Sequence, residues 1–112
     1  MEKQLGKNVL FNEVLLEAID EVLTSVGNQV KCMIYLQIKS NLGMSREQIP
    51  DRIEEFMNIL QRIFGVGSRH IELQILKAIH AKTGITCPSS VQSSKFVDCV
   101  VFVKEEYEKR KL

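Results

Sequence analysis

The sequence predicts an all-α fold, a compact bundle of about five helices over roughly 9–26, 28–41, 50–64, 68–83 and 94–110. Two observations predict it. Apolar residues return at three- and four-residue intervals through most of the chain, the spacing of one helix face. Gly27, Gly43, Gly65, Gly67 and Gly84 fall between those segments, where helices stop, rather than inside them.

In the first segment Phe11, Leu15, Ala18, Ile19, Val22 and Val26 share a face, and Glu13, Glu17, Asp20 and Glu21 take the other. Asn8 or Asn12 is the expected N-cap, and Gly27 stands where a left-handed C-terminal residue belongs. Asn28 is the expected cap of the second helix. There Cys32 to Leu36 are apolar in succession, flanked by Val30 and Ile38. A helix apolar nearly all round is one surrounded by others, so this one is the expected centre of the fold. The same run also reads as a buried strand, but Asn41-Leu42-Gly43 is a helix stop and the neighbours are helical.

Ser45 followed by Gln48 forms a capping box for one short turn, and Pro50 suits the first turn of the third helix. Asp51, Glu54 and Glu55 lie at the positive end of that helix dipole and Arg62 in its last turn. Ile53, Phe56, Met57, Leu60, Ile63 and Phe64 keep helical spacing without a miss. In the fourth helix Ile71, Ile75, Leu76, Ala78 and Ile79 face inward, and Gly84 ends it. The linker-like stretch TCPSSVQSS follows, with Pro88 unable to continue a helix. Phe96, Val100, Val103 and Tyr107 then form a stripe on a last helix capped by Ser93 or Ser94. Residues 97–103 are valine-rich and read alternatively as a strand, but KEEYEKRK continues without a turn signal.

At 112 residues the chain is the size of one domain, with a helical core over 9–85, a linker over 86–93 and a C-terminal helix over 94–112. Its net charge of +1 supplies no bulk attraction to nucleic acid or to an anionic membrane. Charge is uneven, with an acidic first helix and a fourth helix carrying Arg69, Lys77 and Lys82 against Glu72 alone. Two such helices can pack on or associate with one another, or be two solvated faces. Cys32, Cys87 and Cys99 show no C-x-x-C spacing, which argues against a disulfide framework and a cysteine zinc site. With no signal-like segment and no membrane-length apolar run, a soluble cytoplasmic protein is expected.

Gly65-Val66-Gly67-Ser68 invites comparison with phosphate-binding loops. Those need a preceding strand and either G-x-x-x-x-G-K-[ST] or a third glycine, and His70 occupies the third place here. The expected role is a helix corner: Gly65 left-handed, Gly67 letting the chain reverse, Ser68 capping the fourth helix. Ser68, Arg69 and His70 at a helix start form a candidate contact for an anion or a partner. His70 and His80, ten residues apart, are expected on different faces of one helix rather than sharing a metal. Cys32 and Cys99 read as small core residues and Cys87 as the most accessible thiol. The pairs Glu54-Glu55 and Glu105-Glu106 lack apolar surroundings that would raise one pKa. No catalytic, cofactor or metal residue is assigned, and an enzyme is not expected.

The order of punctuation resembles one family. Val26-Gly27 ends a helix, an apolar helix leads to Leu42-Gly43, and Ile49-Pro50 opens a helix bearing Phe56 and Leu60. Ile63-Phe64-Gly65-x-Gly67 follows, then a helix with Ile71 and Ile75 before Thr83-Gly84-Ile85. Over about residues 13–85 this is similar to the small archaeal family called the Nitrosopumilus output domain, with Val26 where the family pattern has leucine and with an added linker and last helix. The resemblance implies a short helical module with an output role in signalling and no enzymatic residues.

Three function classes follow. The first is a non-enzymatic interaction module that meets a protein partner, a second copy included, with Phe96, Val100, Val103 and Tyr107 as the candidate self-association stripe, by surface contact or helix exchange. The second is a helix-turn-helix-like nucleic-acid binder using Arg69, His70, Gln74 and Lys77, against which the near-neutral charge weighs. The third is a small-molecule sensor with Met33, Met44 and Met57 lining a cavity.

Overall fold

The computed structural model describes residues 10–87 and 96–111. It is all-α, and the described residues form five α-helices: α1 (Phe11–Val26), α2 (Asn28–Leu42), α3 (Ile53–Phe64), α4 (Ser68–Thr83) and α5 (Phe96–Lys111). Two 3-10 turns, Arg46–Arg52 and Gly65–Gly67, lead into α3 and α4. Residues 97–103 are helix, so of the two readings of that valine run the strand falls away. The Ser93 and Ser94 caps lie outside the described residues.

The first four helices form a ring in which α1 touches α2, α2 touches α3, α3 touches α4 and α4 returns to α1. The last helix, α5, lies over α4 and α1. Phe11 at the start of α1 meets Tyr107 near the end of α5, ring centroids 5.9 Å apart.

The centre of this arrangement is α1, not α2. Phe11, Val14, Leu15, Leu16, Ala18, Ile19, Val22 and Leu23 of α1 are all buried, whereas α2 buries only Ile34 and Ile38. The sequence expectation fails because an apolar run shows which side chains prefer burial, not how many neighbours the topology supplies. Two adjoining helices cover one side of α2. Cys32, expected in the core, is therefore exposed, and Met33 and Leu36 are exposed with it. Conversely Ile59 of α3 and Glu72 of α4 are buried without having been expected there.

Several caps differ from expectation. Leu10 is the N-cap of α1 without a side-chain bond, Asn12 lies inside the first turn, and Asn8 is outside the described residues. Asn28 is the first residue of α2 and not its cap. Gly27 alone joins α1 to α2, at φ 156° and ψ 136° rather than in the left-handed helical region. Its N–H donates to the Leu23 carbonyl and its own carbonyl accepts from Lys31, each at 3.0 Å. Pro50 sits inside the first 3-10 turn, with α3 starting at Ile53. The Ser45–Gln48 pair behaves as expected: the Ser45 N–H donates to Gln48 Oε1 at 2.9 Å.

The glycine corner is a single 3-10 turn. Gly65 has φ 58° and ψ −130°, which suits glycine alone, but Gly67 has an ordinary φ of −68° and Ser68 is the buried first residue of α4 and not its N-cap. A direct comparison follows. Gly43 ends α2 in the left-handed region at φ 61° with open space around a would-be Cβ. Gly43→Ala is expected to lose about 1–2 kcal/mol in a urea titration from backbone conformation alone. Gly67→Ala, whose Cβ would meet Phe64 Cβ at an ordinary 3.8 Å, is expected to gain about 0.5 kcal/mol by restricting the unfolded chain.

Candidate functional site

Three polar clusters tie the helices together. Asp20 of α1 accepts the Tyr35 hydroxyl of α2 and a fork from Arg46, whose Nε lies 3.1 Å from Asp20 Oδ2. Burial pushes the Asp20 carboxyl up, but the Arg46 and Tyr35 hydrogen bonds and the Arg46 and Lys31 charges outweigh it and hold the group below its ordinary range. Burial and the bond to Asp20 push the Tyr35 phenol upward. Arg52 pairs with Glu55 and donates through Nη2 to the Leu42 carbonyl at 3.2 Å, closing the end of α2 onto the start of α3. Lys82 of α4 bridges Glu21 at 2.5 Å and Glu17 at 3.5 Å on α1. The acidic and basic helices thus pack against one another within one chain. These clusters fasten elements to one another.

Two surfaces among the described residues bear on binding. The first is the outer side of α2. Leu36 is 63% exposed and Met33 40%, with exposed Cys32 directly before Met33 and Gln29, Lys39 and Ser40 at the margins. Lys39 is the one charged residue among the exposed positions of α2, whereas exposed α1 presents Glu13, Glu17 and Glu21. The second is a groove of about 360 Å³ between α4, the stretch Ile85–Cys87 and Val103 of α5. His70, Gln74, Lys77 and His80 run along its α4 edge. The two histidines both line this groove, although ten residues at 3.6 per turn set them about 80° apart around α4. The Thr86 hydroxyl lies 3.1 Å from His80 Nδ1.

The residues singled out from sequence are only partly brought together. Ser68 is buried, Arg69 Nη1 faces the buried carboxylate of Glu72 at 3.6 Å, and His70 turns into the groove, so these three do not form a shared anion contact. Phe96, Val100 and Val103 are buried and Tyr107 half-buried, all packed on this chain's own core. Contact through that stripe therefore requires exchange of α5 rather than surface docking. Met44 and Met57 are core residues and Met33 is on the surface, so the methionines share no cavity. Cys87, expected to be accessible, is buried. It is hydrogen-bonded to Cys99, whose thiol burial pushes up to about 12. Spacing gave no hint of this pairing, because residues 87 and 99 belong to different elements.

Among the described residues no group of three or more His, Cys, Asp or Glu side chains converges as a metal site. No described helix is long and apolar enough to cross a membrane. No family model, curated protein or solved structure matches the chain.

Proposed function

We propose that this chain is a non-enzymatic helical interaction module, of the signalling-output kind that its sequence resemblance implies, acting through protein–protein contact on the outer side of α2. One observation carries this reading: a helix whose apolar residues exceed what its neighbours cover, leaving Leu36 and Met33 in water on a nearly uncharged face. A contiguous apolar patch of this kind marks an interaction site more often than scattered surface leucines do.

The occupant is a second copy. In an antiparallel pairing about a two-fold axis beside Ile34, Leu36 of one copy meets Cys32 of the other, and Lys39 meets Gln29, so no like charges are opposed. One helix face is a small interface, which places the dimer in the weak, exchanging class suited to signalling. Sedimentation velocity is expected to show a dimer fraction rising with concentration. Leu36→Glu, at an exposed position, is expected to leave the fold intact and weaken the dimer by about tenfold or more. A short bismaleimide is expected to join Cys32 to Cys32 in the wild type and not in the variant, the other two cysteines being buried. A strictly monomeric wild type, or a dimer indifferent to Leu36→Glu, defeats the reading.

The nucleic-acid alternative gains little from the structure. His70, Gln74 and Lys77 border a walled groove instead of forming the projecting helix edge that enters a DNA major groove.

A further inference from the structure

We infer that the groove between α4 and α5 binds a small amphipathic anion, an aliphatic or aromatic carboxylate, with Lys77 as its charge partner. The argument begins with the cations of α4. Arg69 is turned to Glu72, and Lys82 is held by Glu17 and Glu21. Among the described residues Lys77 has no such acidic partner, and it stands on the rim of the groove. The amide of Gln74 and the imidazoles of His70 and His80 border the same edge, and no Asp or Glu is among the lining residues. A donor-rich edge with one uncompensated positive charge is complementary to a carboxylate.

The rest of the lining sets the ligand's other end. Leu73, Leu76, Ile85 and Val103 contribute hydrocarbon to the same lining. A lining that combines a few polar groups with apolar side chains can orient an amphipathic molecule. At about 360 Å³ the groove lies at the small end of ligand sites. A free inorganic anion would leave the walls unused, and a neutral hydrocarbon would leave Lys77 without a partner. This site is separate from the outer side of α2, and its failure leaves the dimer reading untouched.

The test is an amide NMR titration of the full chain with decanoate below its micelle concentration, with decanol and decyltrimethylammonium as matched probes. Saturable shifts confined to α4 and residues 85–87 and 103 are expected, with decanoate about tenfold tighter than either control. Lys77→Glu is expected to lower decanoate affinity about tenfold, and Lys77→Arg to retain it. Leu73→Ser, at a partly exposed lining position, is expected to weaken binding without unfolding the chain. Equal binding of the cationic probe, shifts centred on α2, or no saturable binding overturns the inference.

Discussion

Phe56→Ala is expected to lower stability by about 3–5 kcal/mol, the cost of emptying an aromatic site in a closed core. Phe56 is the largest fully buried side chain among the described residues. It stands on the inward face of α3, in one core cluster with Ile19 and Leu23 of α1, Ile34 and Ile38 of α2 and Ile75 of α4. Because the ring of helices closes around that cluster, no single neighbour can collapse into the vacancy. A domain of this size has about 5–15 kcal/mol in total, and each kcal/mol moves the melting midpoint by about 4–8 °C. Thermal and urea melts followed by circular dichroism are therefore expected to show a fall of about 15–30 °C and a lower urea midpoint. Leu36→Ala provides the control: an exposed leucine on the ring's outer surface is expected to change stability by less than about 0.5 kcal/mol. A small effect at Phe56, or a large one at Leu36, would mean that the core has been placed on the wrong side of the helices.

Asp20→Ala is expected to cost about 2 kcal/mol, since one carboxylate serves Tyr35 of α2 and Arg46 before α3. Both charged side chains are about one-third solvent-accessible, which holds the figure toward the lower end for charged hydrogen bonds. The pH dependence has a definite sign. Arg46 and Tyr35 hold the Asp20 pKa below its ordinary value, outweighing the opposing effect of burial. The stabilisation is then fully present above the unfolded value of about 4 and is lost as pH falls through the folded value. The difference between wild type and Asp20→Ala is expected to be flat from neutral pH down to about 5 and to shrink below about 4. A gap that persists unchanged into strong acid would show that the charge on Asp20 contributes nothing.

Helix identity and most boundaries were legible in the sequence because they depend on local features: glycine at helix ends, one polar face per helix, and the Ser45–Gln48 box. Isoleucine positions in α3 and α4 were assigned to the core from spacing alone, and Ile53, Ile71, Ile75 and Ile79 are buried. What could not be read was which helix the others surround. That depends on the closure of the ring, a long-range property to which each segment's own pattern is blind. The same limit explains Cys32 and Cys87 exchanging their expected environments. It also hid the groove: His70, Lys77 and His80 were visible as residues, but the wall opposite comes from Ile85–Cys87 and α5, across the linker.

The joint at Gly27 has a consequence for how permanent the outward side of α2 is. That helix is fastened at its first residue by a one-residue connection and at its last by Arg52 gripping the Leu42 carbonyl. A cylinder clamped at both ends cannot spin about its long axis. Among the described residues, rolling α2 is therefore not a route by which Leu36 can be tucked away.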